Sequence, residues 1–305
     1  MPEDIRLLAA DLDGTLLSPH GQLSPRTIAA LRAAESAGWR LVFATGRRQS
    51  YAMQVLGKAG LRADAVLITS NGAVVRTLDG ELIERNLLPV EQARQICRQL
   101  TEFRNVMVFT FDRVGSGALV VEQFSTLHRS IARWVEANAD EIVAVTPMEQ
   151  AFEDGDAPVQ GMICGTLDRM AQAVAMLEAD THTARQLRAG ISIHRTEYAA
   201  RDLCIVDLLP VACSKGRALA RLAAFYGIEP AQVLAIGDNM NDADMLAWSG
   251  HPVVMANAAA ELRTIAEAEG WQLTASNEED GAAQAIEAAL AGRLKSLLRI
   301  VPVVN

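Results

Sequence analysis

Ile5-Arg6-Leu7-Leu8-Ala9-Ala10-Asp11-Leu12-Asp13-Gly14-Thr15-Leu16-Leu17 is the stretch on which the fold of this chain turns. Residues 5 to 11 make a short, nearly continuous apolar run, the pattern of a strand covered on both faces within a parallel sheet. The run ends in acids. Carboxylates on alternate residues of an extended segment point to opposite sides, but Asp-Gly just past the strand turns the chain and lets Asp11 and Asp13 reach one centre. In an open parallel sheet the ligand crevice lies beyond the carboxyl ends of the strands, where these residues fall.

Working outward, Ser24-Pro25 supplies an N-cap and a first-turn proline, and Ile28, Leu31 and Ala34 recur at helical spacing until Gly38. Arg40 to Ala44 is a second strand, followed by polar Thr45-Gly46-Arg47-Arg48, a further helix and a third strand over Ala65 to Ile68. Strand and helix alternating in this way predict right-handed βαβ units in a doubly wound, mostly parallel sheet, an α/β Rossmann-type core. Past Asn71-Gly72 the pattern changes. Ala73-Val74-Val75 and Leu82-Ile83 around Asp79-Gly80 read as a hairpin, and it marks the exit from the sheet.

Residues 85–210 then hold helices near 90–103, 126–137 and 168–179 with strands near 106–111, 118–121, 159–163 and 203–207, enough for a smaller α+β domain. From Ser214 the alternation returns. Ala218, Leu219, Leu222 and Phe225 form a helical stripe ended by Gly227, and Val233 to Gly237 is a buried strand. A short helix from Asp242, a strand over Pro252 to Met255 and helices from about Asn257 and Gly281 complete the chain. The predicted organisation is core, insert, core: 1–84 and 211–305 around 85–210.

Three strand ends carry unusual polar content: Asp11 to Thr15, Thr45-Gly46-Arg47, and Gly237-Asp238-Asn239-Met240-Asn241-Asp242. Asp11, Asp13, Asp238 and Asp242 at one sheet edge concentrate like charge that a cation must neutralise, and oxygen ligands with open positions suit Mg²⁺. An Asp-x-Asp-Gly alone is also ordinary turn chemistry. The ordered set is more specific: Asp-Leu-Asp-Gly-Thr-Leu-Leu after one strand, Ala-Thr-Gly-Arg after another, lysine at a helix start within Cys213-Ser214-Lys215-Gly216, and Gly-Asp-x-x-Asn-Asp after a further strand. Ile68-Thr69-Ser70-Asn71-Gly72-Ala73, the run Gly237 to Leu246 and Glu279-Asp280-Gly281 support it.

This set resembles the haloacid dehalogenase-like (HAD) superfamily, and within it the Cof-like phosphatases, whose α/β cap is inserted between the second motif and the lysine. The resemblance is strongest over residues 5–76 and 211–284 and only architectural across the insert. It implies Asp11 as the nucleophile that becomes an aspartyl-phosphate, splitting one hard displacement into two easier ones. It implies Asp13 as general acid and base, protonating the leaving alkoxide and then activating water. Mg²⁺ would take Asp11, Asp238 and the backbone carbonyl of Asp13, with Asp242 orienting from behind. Thr45, the Gly46 and Leu12 N–H groups, Lys215 and Asn241 match the family's phosphate donors, Lys215 gaining from a helix N-terminus. Arg47 either touches substrate or stabilises its loop, and the loop role is favoured.

The resemblance thus implies a Mg²⁺-dependent phosphatase of a small phosphorylated metabolite, such as a sugar phosphate, with a cap that closes over the cleft and sets specificity. Asp112, Arg113, Glu122, Arg195 and Tyr198 are polar cap candidates. Two alternatives stay open: a phosphohexomutase, which would return the phosphoryl group to a sugar, and a ligand-binding homologue without turnover.

Composition narrows the remainder. The 305 residues, half of them apolar, carry 28 Lys and Arg against 37 Asp and Glu, a net charge of −9 that disfavours nucleic acid as a partner. No apolar run is long enough to span a bilayer, and the N-terminus does not read as a secretory signal. Cys97, Cys164, Cys204 and Cys213 lack metal or disulfide spacing, so a reducing cytoplasm is expected, for a monomer or homodimer. Gly115-Ser116-Gly117 reads as a hairpin turn and not a dinucleotide fingerprint. His20, His128, His182, His194 and His251 read as surface or satisfied core, His20 being the best placed for the cleft, and Trp134 and Trp248 as core.

Overall fold

The computed structural model describes residues 5–123, 131–153, 155–198, 201–211 and 213–294. The chain divides into two compact units, Met1–Arg85 with Ser214–Asn305, and Asn86–Cys213. The breaks fall one and three residues later than the sequence boundaries.

The first unit begins with β1 (Leu7–Asp11), α1 (Pro25–Ser36), β2 (Arg40–Ala44), α2 (Gln49–Leu56), β3 (Val66–Thr69) and the hairpin β4 (Val74–Thr77) and β5 (Leu82–Arg85). The inserted unit holds α3 (Val90–Gln99), β6 (Met107–Thr110), β7 (Leu119–Val121), α4 (Ala132–Ala137), β8 (Ile142–Ala144), β9 (Gln160–Gly165), α5 (Leu167–Glu178), α6 (His182–Arg188), β10 (Ile191–Tyr198) and β11 (Leu203–Pro210). The first unit resumes with α7 (Lys215–Phe225), β12 (Val233–Gly237), α8 (Ala243–Trp248), β13 (His251–Val254), α9 (Ala260–Glu269), β14 (Gln272–Leu273) and α10 (Gly281–Leu290).

Strand order in the first unit is β14-β13-β12-β1-β2-β3-β4-β5, parallel from β14 to β3 and antiparallel at β4 and β5. Crossover helices cover both faces. Leu8 and Ala10 of β1 enter one core with Leu31 of α1, Leu56 of α2 and Ile286 of α10, while Leu7 and Ala9 enter the other with Leu219 of α7, Leu246 of α8 and Leu262 of α9. Alternate residues therefore all find apolar cover, which is why the strands read as unbroken apolar runs; each such leucine contributes about 1.5–3 kcal/mol. The central strands β12, β1 and β2 have their carboxyl ends side by side, with Asp11 in register with Ala44 and Gly237 with Val254.

The local signals of α1 are realised: the Ser24 hydroxyl accepts the Thr27 N–H at 3.0 Å, Pro25 opens the helix, and Gly38 closes it at φ 86°. Two readings need correction. The β4–β5 hairpin does not leave the sheet; it extends the main sheet as an antiparallel edge, so the exit comes after Arg85. Phe225, placed in the α7 stripe, is 77% exposed; it is the last residue of the helix, whose buried positions end at Ala223.

In the inserted unit a second sheet has the order β10-β11-β9-β6-β7-β8, antiparallel except for β7 with β8. One face packs on α3 and α5 through Phe109, Ile163, Val206, Ile96 and Met170. The sequence reading missed β8, β10 and α6 here and β14 in the first unit. β10 is an edge strand, and its run Ile-Ser-Ile-His-Arg-Thr-Glu-Tyr is only partly buried, leaving a weak pattern. Of the helix expected at 126–137, residues 126–130 lie outside the described residues, as does His128; the rest forms α4. Among the described residues no helix is long and apolar enough to cross a membrane.

Candidate active site

Asp11 is the last residue of β1, held at a sheet edge by its register with β2, and it is 4% exposed. Its Oδ1 accepts from Lys215 Nζ at 2.6 Å. Its Oδ2 is buried with no hydrogen-bond partner. Lys215 opens α7 behind Ser214, whose side chain caps the helix by accepting the Arg217 N–H at 3.2 Å. The lysine is fully buried and also donates to Asp242 Oδ1 at 2.6 Å.

Asp238 and Asp242 come from the loop after β12. Asp242 spends its second oxygen on the N–H groups of Asp238 and Asn239, each at 3.0 Å, which closes the loop onto itself. Asp238 accepts from Thr15 Oγ1 at 3.2 Å, tying this loop to the one after β1. One oxygen each from Asp11, Asp238 and Asp242 lies within 4.8 Å of the others.

Burial of this much charge sets the electrostatics. Burial pushes the Asp11 carboxyl up to about 8; Lys215 opposes this, and Asp242 and Asp13 add to it. Asp238 rises well above the usual carboxylate range, first through burial and then through the charges of Asp11 and Asp242. Burial alone would lower Lys215, but the two carboxylates outweigh it, and the ammonium is held more tightly than in water. With all three buried carboxylates ionised, one buried lysine would leave excess negative charge, and an orphaned Asp11 oxygen lies among them. Such an all-oxygen donor set fits a hard divalent cation. Because both Asp242 oxygens already serve Lys215 and the backbone, Asp11 and Asp238 are the better placed to hold a cation, were one bound.

Asp13 lies apart from that buried group. It is half-buried and pairs with Arg47 Nε at 2.6 Å, while the Arg47 guanidinium lies 3.7 Å over the Tyr51 ring. The arginine therefore engages its own loop and Asp13. Thr45 is 1% exposed, and its hydroxyl oxygen accepts the Arg47 N–H at 3.1 Å, leaving the hydroxyl proton to point elsewhere. Gly46 adjoins the Asn71 amide, and Asn241 Nδ2 donates to Asn71 Oδ1 at 3.1 Å. The Leu12 carbonyl accepts from Leu17 N–H at 2.8 Å, closing the turn that presents the loop after β1.

Several supports were not read from the sequence. Asn257 donates to the Gly14 carbonyl at 2.8 Å and accepts the Asn277 N–H at 2.9 Å, and Asn277 donates to the Leu17 carbonyl at 2.7 Å. Asn277 opens the acidic run Asn277-Glu278-Glu279-Asp280, and for Asn257 the available signal was its place just past the carboxyl end of β13. His20 is exposed, and His194 and His251 each engage a backbone carbonyl, of Cys213 and Ala231. Within the inserted unit, Arg113 pairs with Asp156 at 2.5 Å, Glu122 accepts the Met148 N–H at 3.1 Å, and Arg195 pairs with Glu197. These three candidates thus have partners inside their own unit.

A family model described as haloacid dehalogenase-like hydrolase matches residues 8–286. HMP-PP phosphatase of Escherichia fergusonii is 32% identical over 259 residues, covering 85% of this chain and 86% of that protein. HMP-PP phosphatase of Shigella boydii shows the same identity over 85% of this chain and 90% of its own. Among solved structures, a haloacid dehalogenase-like hydrolase from B. subtilis superposes with a TM-score of 0.75 at 24% identity, covering 93% of this chain and 99% of that one. A phosphatase of the haloalkanoate (HAD) superfamily from Bacteroides thetaiotaomicron gives 0.73 at 22% identity, covering 94% and 95%. At these identities the structural likeness shows the fold.

Proposed function

Because the chain belongs to the haloacid dehalogenase-like hydrolase family and is a phosphatase of phosphoric monoesters, we propose that it hydrolyses a small phosphorylated metabolite through an aspartyl-phosphate on Asp11. The observation that carries this reading is the state of Asp11: one oxygen pinned by Lys215, the other buried and unpartnered at the end of the central strand. A carboxylate so fixed is oriented at the sheet edge and keeps one oxygen that no protein group occupies.

In the first step an Asp11 oxygen bonds to phosphorus as the ester P–O bond breaks, and Asp13 gives its proton to the leaving oxygen. In the second, Asp13 takes a proton from water as the water oxygen bonds to phosphorus and the Asp11–P bond breaks. Lys215, the Thr45 hydroxyl, Asn241 and the N–H groups of Leu12 and Gly46 serve the non-bridging oxygens, and Arg47 holds Asp13 in its loop. Asp11, Asp238 and the Asp13 carbonyl would hold Mg²⁺, whose charge neutralises the acidic cluster and the phosphoryl oxygens. Asp242 keeps Lys215 and the loop after β12 in place.

Sugar phosphates and similar monoesters are the proposed substrates, selected by residues of the inserted unit, in the cytoplasm, where the four cysteines stay thiols. The Escherichia and Shigella relatives are named for HMP-PP, which stands beside the sugar phosphates as a candidate.

The test is phosphate release from a panel of phosphorylated sugars, nucleotides, cofactors and HMP-PP, with Mg²⁺ and with chelator, on wild type and Asp11→Asn. The expected result is metal-dependent release that Asp11→Asn lowers by about four orders of magnitude or more while remaining folded. Near-normal release from Asp11→Asn would overturn the nucleophile assignment. Isomerised sugar phosphate in place of inorganic phosphate would identify a mutase.

A further inference from the structure

The segment after β3, Ser70-Asn71-Gly72, has a strained backbone. Ser70 has φ 48° and Asn71 has φ 50°, ψ 35°, both left-handed, and Gly72 follows at φ 102°. Non-glycine residues visit this region rarely, and a consecutive pair persists only where the surroundings enforce it. Both are enclosed, 2% and 1% exposed.

The enforcement comes from three sides. Ser70 N–H donates to the Arg47 carbonyl at 3.0 Å and Asn71 N–H donates to the Thr45 carbonyl at 3.1 Å, so the turn is stitched to the loop after β2. At Gly72 a Cβ would overlap the Ser214 carbonyl, so the turn also abuts the start of α7 one residue before Lys215. The Asn71 side chain then reaches the third loop, its Oδ1 accepting from Asn241 Nδ2 at 3.1 Å.

An asparagine amide carries an oxygen on one arm and an NH₂ on the other. With Asn71 Oδ1 facing it, Asn241 must present its NH₂; the flipped amide would set two oxygens against each other. That NH₂ carries a second N–H. We propose that Asn71 is a positioning residue for phosphoryl transfer, its strained turn fixing the Asn241 amide so that the second N–H is aimed at the phosphoryl group. This rests on the reading of Asn241 as a phosphate donor.

The strain makes a clean test possible. Asn71→Gly removes the amide but suits a positive φ, so the melting temperature should stay within about 3 °C of wild type. A structural role would show there first. On the best ester of the phosphate-release panel, kcat/KM should fall about tenfold, and inhibition by inorganic phosphate should weaken in the same direction. Asn71→Gly combined with Asn241→Ala should be no slower than Asn241→Ala alone, because the first residue acts through the second.

Unchanged kcat/KM in Asn71→Gly, with Asn241→Ala impaired, would overturn this inference and leave the donor reading standing. Losses that multiply in the double variant would also overturn it. A normal Asn241→Ala would instead remove the donor reading, and the inference with it. Should glycine lower the melting temperature further than expected, the same cycle with Asn71→Ser decides by the same criterion.

Discussion

Lys215 and Asp242 form a fully buried ion pair at 2.6 Å, and the second oxygen of Asp242 accepts the backbone N–H groups of Asp238 and Asn239. The carboxylate thus fixes the lysine and shapes the loop that presents Asp238. Asp242→Ala strands part of a buried ammonium's compensation and two backbone donors, so it should cost about 3–5 kcal/mol in denaturant unfolding. Asp242→Asn retains an oxygen acceptor and should cost less. A loss below about 1 kcal/mol for the alanine variant would show that the loop is held by other means.

The Asp11 carboxyl gives the metal-free protein a definite pH response. Burial, only partly opposed by Lys215, raises it from 3.8 to about 8. Between those values the folded state holds a proton that the unfolded chain has released, so the Asp11 contribution to stability falls as pH rises across that window, and Asp238, raised by the same burial, acts in the same direction. In chelator the urea midpoint should therefore decline from pH 5 to pH 8. With Mg²⁺ the decline should shrink, and metal binding below pH 8 should release protons, measurable by calorimetry in buffers of different ionisation enthalpy. A flat midpoint in chelator, or binding without proton release, would contradict this account of the site.

The parts legible in the sequence share a physical origin. Strands β1, β2, β3 and β12 are covered on both faces, so their apolar runs and the polar residues at their ends stand out without any knowledge of contacts. The structure brings Asp11, Lys215, Asp238 and Asp242 together as those strand ends imply. What escaped was made by pairs far apart in the chain. Asn277 reaches Leu17 across 260 positions and Asn257 reaches Gly14 across 243, and no local pattern announces either. The Arg47 pairing with Asp13 belongs to the same class. Edge strands such as β10 escaped for another reason, since one unpaired side removes the burial that writes the pattern.

The cysteines offer an independent check on the inserted core. Burial pushes the Cys97 thiol up to about 12 and the Cys204 thiol to about 11, and all four cysteines are buried and outside any disulfide. Only the thiolate is nucleophilic, so at pH 8 both groups are protonated as well as shielded. Folded protein should take up almost no alkylating reagent at Cys97 and Cys204 over the time in which denatured protein is fully modified, as read by peptide mass mapping. Rapid labelling of Cys97 in the native state would mean that the core around Phe103, Ile163 and Val206 opens readily.

Gly14 separates backbone strain from damage to the acidic centre. It has φ 83°, and a Cβ there would overlap the Asp238 carboxylate. Gly38, at φ 86°, has nothing within 4 Å of the same added atom. Alanine at either position meets a left-handed conformation costing about 1–2 kcal/mol, so both variants should lose comparable stability from that source. Only Gly14→Ala must also displace Asp238, which Thr15 holds at 3.2 Å. Mg²⁺ affinity should therefore weaken about tenfold or more in Gly14→Ala and stay at the wild-type value in Gly38→Ala, measured by titration calorimetry on folded protein. Equal affinities in the two variants would mean that Asp238 can move without loss, which would remove it from the ligand set; weakening in both would trace the effect to general destabilisation.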